Sequence, residues 1–273
     1  MIHCKELNES FNDKESLFKA LKNNKDLIIA EKKAAIYKSC EKGQSTNVKA
    51  LDLSKLNSIN KEIKLDPKYR YFVVNSSRIL DSHKDMHFDG NWEKTTKEQQ
   101  GKVYLVFDHT LKRSEIIALK EDIEMFTLEI PFSLLGKDYE GDTYCLIYKV
   151  KKDRIINKDA KEWLDNGYSF EASVRMQYVN ILPCFNSDRL DDVKEKENYD
   201  KYYPYIANKE DHGEIDYFWV VLEAKNVKES SLVLFGSNPA TGIIEPSKDT
   251  QNENKEAANS TSNLINFYKS LNF

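Results

Sequence analysis

The sequence predicts an α+β protein: a compact, mostly antiparallel, barrel-like β core with flanking helices, a helical extension before it and a flexible tail after it. Three observations predict this. Segments dense in β-branched and aromatic residues recur between residues 66 and 243, which favours strands. Apolar residues at helical spacing are concentrated before residue 65. Few long helices separate the strand segments, which argues for a barrel or compact mixed sheet and against a doubly wound fold.

In residues 1–65, SLFKALKNN and DLIIAEKKAAIYKSC space apolar residues three and four apart, and LDLSKLNSINKEIKLDP runs into Pro67 as a boundary. This lysine-rich extension reads as an amphipathic segment that packs on the main domain or holds a partner. The core, residues 66–243, opens with YRYFVVNSS and VYLVFDH, both read as strands, and EIIALK continues the pattern. DAKEWLDNG reads as a short helix stopped by Gly167. SFEASVRMQYV, YFWVVLEA and SLVLFG supply three more strands. Residues 186–214, charged and rich in tyrosine, read as an inserted surface helix and loop, either a binding lid or a solvated bulge. Residues 244–273 form the tail, polar and low in complexity from Pro246 until the short apolar ending NLINFYKSLNF.

A hydrophobic content of 40% supports a real core, and a net charge of -4 lends nucleic-acid binding no electrostatic support. The four cysteines, Cys4, Cys40, Cys145 and Cys184, form no C-x-x-C pair. The opening MIHCKELNESFNDK is unlike a signal peptide, and no apolar run reaches membrane length. The expectation is a soluble intracellular protein with free thiols, bound to neither membrane nor nucleic acid.

Candidate sites follow from residue type and strand alternation. In SFEASVRMQYV, Phe170, Ala172, Val174, Met176 and Tyr178 share an apolar face, while Ser169, Glu171, Ser173, Arg175 and Gln177 share the other. Alternation reads that second face as solvated and does not choose between the two serines. His109, at the end of VYLVFDH, reads either as a capping or core residue or as a general base, with Asp108 directed to the opposite face. Glu229, leading ESSLVLFG, reads as an exposed strand residue or as a carboxylate that orients a histidine. In DSHKDMHFDG, Asp81, His83, Asp85, His87 and Asp89 are suitable divalent-metal ligands, yet their spacing matches no common zinc pattern. A polar loop ending at Gly90 is the favoured reading, so no metal and no cofactor is expected. GSNPATG lacks the lysine and helix of a phosphate loop, and nucleotide binding is rejected.

Taken in order, DSHKDMHFDGNW, LVFDH, SVRMQY, YFWVVLEAK and GSNPAT resemble the prohead proteases of tailed phages, in the group related to the HK97-type and herpesvirus assemblin serine proteases. The resemblance runs from residue 76 to residue 241 and leaves out the extension and the tail. It implies an assemblin-like fold and a serine endopeptidase with Ser173 as nucleophile, His109 as general base and Glu229 orienting the histidine. Geometry then requires Ser173 Oγ within about 3 Å of a ring nitrogen of His109. Arg175 stands where many members carry a small residue, making it an oxyanion or cleft candidate. The implied setting is the host cytoplasm, inside the assembling prohead. Scaffold and major capsid protein would be substrates, and the enzyme would cleave itself. Portal is a further partner held by the extension, and self-association is left open. The rivals are a catalytically silent scaffolding or capsid-associated protein on the same fold, and a metal-dependent hydrolase built on His83, His87 and Asp85.

Overall fold

The computed structural model describes residues 1–35, 51–52, 65–168 and 170–245. Ser169, Cys40 and the tail from Pro246 lie outside the described residues, as does most of the stretch between residues 36 and 64.

The N-terminal extension is not helical throughout. Strands β1 (Ile2–Cys4) and β2 (Glu9–Phe11) first form an antiparallel hairpin, whose turn holds Asn8 at a φ of 51°. Three-residue strands are too short to display an alternating pattern, so periodicity misses them. Helix α1 (Lys14–Ala34) follows, and Asp13 caps it by accepting a hydrogen bond from the Ser16 N–H at 2.7 Å. Its buried Leu17, Phe18, Leu21 and Ile28 enter the same apolar core as the main strands, so this described part of the extension is packed on the core.

The remaining strands are β3 (Leu51–Asp52), β4 (Tyr69–Ser76), β5 (Asp85–His87), β6 (Tyr104–Phe107), β7 (Ile116–Ala118), β8 (Ile123–Pro131), β9 (Asp142–Lys151), β10 (Glu171–Phe185), β11 (Tyr217–Val233) and β12 (Gly242–Glu245). They build two five-stranded sheets. One runs β10-β11-β6-β7, with β5 beside β11; the other runs β3-β12-β4-β9-β8. Neither closes into the expected barrel. The sheets meet through side chains and, among the described residues, share no hydrogen-bond ladder: Leu105, Val174 and Leu232 from the first enter one core with Phe72, Leu146 and Tyr148 from the second.

Three further expectations change. YFWVVLEA and SLVLFG are one continuous strand, β11, because the polar KNVKE between them continues the ladder to β10 through a bulge. Strands β8 and β9, to which the sequence reading assigned no element, form the far edge of the second sheet. The insertion at 186–214 is a packed layer and not a solvated bulge. Its helix α4 (Val193–Tyr202) buries Tyr199 and Tyr202 against Phe218 and Val220, and its buried Glu195 binds Lys22 and Lys25 of α1 at 2.7 and 2.8 Å. Beyond these, helices α2 (Glu93–Glu98) and α3 (Lys158–Asp165) flank the sheets, and Gly167 terminates α3 at a φ of 78°, as the sequence predicts. Strand β12 runs to Glu245 and pairs with β4. Among the described residues no helix is long and apolar enough to cross a membrane.

Candidate active site

Strand β10 pairs antiparallel with β11, placing Ser173 opposite Ser231. Ala172 and Val174 turn into the core, so Ser173 points to the other face. That face is not solvated: Ser173 is only 6% exposed. The first turns of β10 are covered by the Gly236–Asn238 segment, where the Gly236 N–H donates to Glu171 Oε2 at 2.5 Å. A Cβ at Gly236 would stand 3.1 Å from the Ala172 carbonyl oxygen, so any larger residue requires the neighbouring backbone to give way.

His109 arrives from β6, which runs parallel to β11 with Val106 opposite Ser231 and Phe107 opposite Leu232. Just past the strand, Asp108 and His109 both adopt left-handed backbone, with φ of 46° and 52°. Two consecutive non-glycine residues in that region are uncommon and require support. It comes from β11: the Asp108 N–H donates to the Leu232 carbonyl at 3.1 Å, and the His109 N–H to Ser231 Oγ at 2.9 Å. The turn leaves Asp108 exposed and swings the imidazole over the buried face.

Glu229 is wholly buried within β11, which corrects the reading of an exposed strand leader. The three candidates from the sequence converge. His109 Nε2 lies 3.0 Å from Ser173 Oγ, and Nδ1 lies 2.9 Å from Glu229 Oε1. The carboxylate can only accept, so it selects the tautomer with the proton on Nδ1 and leaves Nε2 free to accept from the serine. A fourth residue completes the set. Ser231 donates to Glu229 Oε2 at 2.8 Å, so the two carboxylate oxygens have separate partners. Sequence reasoning missed Ser231, although its spacing of two from Glu229 on one strand already put both on one face. Arg175, two residues after Ser173 on the same face, is half-buried; its Nε is buried and has no hydrogen-bond partner.

The residues of DSHKDMHFDG take other roles. Lys32 of α1 binds Asp85 Oδ1 at 2.6 Å, and the Tyr178 hydroxyl donates to Asp85 Oδ2 at 2.9 Å. Asp81 accepts the backbone N–H groups of His83 and Asp85. Asp89 binds Arg78 and the Ser77 hydroxyl. His87 receives the Asn91 amide on Nδ1 and stacks on Trp92. Burial pushes Asp81 up to about 8, helped by the neighbouring Asp85 charge, and burial alone drives His87 down to about 3. No group of three or more metal-ligating side chains gathers among the described residues.

A scan against protein-family models finds no match, and searches of curated proteins and of solved structures find none either. The chemical reading of the site therefore rests on its own geometry and on the sequence motifs. A buried hydroxyl, an imidazole and a carboxylate in series can activate the hydroxyl as a nucleophile and store the released proton.

Proposed function

We propose that this chain is a serine endopeptidase of the phage prohead-maturation type, assemblin-like in fold, processing scaffold and major capsid protein and itself. The single observation that carries the reading is the hydrogen-bonded series Ser173–His109–Glu229, at 3.0 and 2.9 Å, assembled from three strands. In the proposed reaction Ser173 Oγ attacks the scissile carbonyl carbon while its proton passes to His109 Nε2. Glu229 stabilises the imidazolium. The tetrahedral intermediate collapses, the C–N bond breaks, and His109 returns the proton to the leaving amine. Water, deprotonated by the same imidazole, then hydrolyses the acyl-enzyme and regenerates the serine. The silent-scaffold alternative expected Ser173 and His109 to lie apart or Arg175 to block the pocket, and the contact of Ser173 with His109 counts against the first of these. The host cytoplasm within the assembling particle is the proposed setting, with portal as a partner of the extension.

The test is Ser173→Ala in cells co-expressing the cognate scaffold and capsid proteins. Processing is expected to stop, with the activity of the purified enzyme falling by roughly 10⁴-fold or more. Intact processing by that variant would remove Ser173 from the mechanism.

A further inference from the structure

We propose that Arg175 reads a carboxylate on the substrate next to the scissile bond, making this an enzyme selective for acidic segments; the proposal rests on the protease reading above. Arg175 and Ser173 share a strand face, with Cα atoms about 7 Å apart along the strand. A guanidinium on that face is within reach of side chains one or two residues from a peptide carbonyl held at Ser173 Oγ. Arg175 makes no hydrogen bond or ion pair among the described residues, although its Nε is buried. Several other buried or half-buried basic groups are paired. Arg70 is tied to Asp165 at 2.6 Å, Arg78 to Asp89, and Lys32 to Asp85. Glu171, on the other side of Ser173 along the same face, accepts the Gly236 N–H on Oε2. Glu229 lies in the bulge across the ladder from Arg175, but both its oxygens already accept, from His109 and Ser231. A buried donor left unmade is costly, and a planar guanidinium offers a fork matched to a carboxylate. The ligand that satisfies it is an aspartate or glutamate side chain of the bound segment.

The experiment digests a proteome-derived peptide library with the full-length enzyme and with its Arg175→Gln and Arg175→Lys variants, reading cleavage sites by mass spectrometry. A fluorophosphonate probe, which carries no acidic side chain, reports Ser173 reactivity in parallel. Wild type is expected to enrich Asp or Glu at one fixed position beside the cleaved bond, by about 10- to 100-fold over the amide, the range of a charge-assisted hydrogen bond. Arg175→Gln is expected to lose that enrichment while keeping fluorophosphonate labelling, and Arg175→Lys to keep part of it. Cleavage without acidic enrichment in wild type would overturn the role of Arg175 and leave the protease reading standing. So would an equal loss on all peptides in Arg175→Gln, which would mark a general part in oxyanion binding or packing. Failure of wild type both to cleave and to label at Ser173 would overturn the protease reading, and this inference with it.

Discussion

Around His109, one ring nitrogen faces a carboxylate and the other a hydroxyl, at 2.9 and 3.0 Å. Around His87, one ring nitrogen meets the Asn91 amide and the other is buried with no partner, while the nearby carboxylates belong to Lys32, Tyr178 and backbone N–H groups. Both regions combine histidine with acids, and the second is the denser in sequence. Their difference lies in what the acids do. Glu229 holds an imidazole against the Ser173 hydroxyl, from which it can accept a proton. Asp85 stitches β5 to α1 and β10 while Asp81 closes the turn that leads into β5, and every acceptor they spend there is lost to metal or substrate. A cluster of ligand-type residues is therefore a weak sign of chemistry until its hydrogen-bond partners are known.

The His109 side is tested most strongly by Glu229→Gln. The amide can present an N–H to Nδ1 and favour the wrong tautomer, so kcat is expected to drop by about 10³- to 10⁴-fold with folding retained. Ser231→Ala is expected to act in the same direction but by about 10-fold, as a positioning residue, with pH–rate profiles of both variants separating tautomer control from simple destabilisation. An unchanged profile in both would remove the proton-relay role.

On the other side, Lys32→Met leaves Asp85 buried without its cation and is expected to cost about 3–5 kcal/mol of stability. Chemical denaturation measures this, and the Lys32→Met/Asp85→Asn double variant should recover part of the loss. A single variant as stable as wild type would show that the ion pair does not hold α1 to the core.

The mildest contrast is in pH. Asp81 titrates near 8 in the fold against 3.8 for the ordinary carboxyl, so between those values the native state keeps a proton that the unfolded chain has released. Its contribution to stability therefore falls as pH rises through that window. Asp81→Asn is expected to flatten the decline, raising Tm at pH 8 by a few degrees relative to wild type and changing it little at pH 4. Parallel Tm–pH curves for the two proteins would refute the assignment.

Much of this was legible in the sequence, for identifiable reasons. Gly167 marks the end of α3 because a residue at positive φ must follow the helix, and glycine takes that conformation without cost. Alternation correctly turned Ser173 away from Ala172 and Val174. It could not report the burial of Ser173, because burial depends on a turn 64 residues away and on the Gly236 segment. Nor could local pattern anticipate that KNVKE stays in the ladder, since its polar residues are tolerated only beside a bulge whose partner strand is distant in the chain. The joining of Ser173, His109 and Glu229 was legible through the family resemblance and not through periodicity.

The bulge in β11 has a further consequence. Between the pairs Val174↔Ser230 and Met176↔Asn226, β11 spends three residues where β10 spends one, and Lys228 takes up the slack at a φ of 70°. The surplus is an even number, so Asn226 and Ser230 still turn to the same side, where both meet Tyr148. Parity, more than length, is what the site depends on. Loss of a single residue in this stretch would invert one arm of the strand relative to the other, carrying Glu229 and Ser231 into the core or Asn226 out of it. Loss of two would leave every face as it is. The stretch can thus vary in length in steps of two with its reactive side preserved.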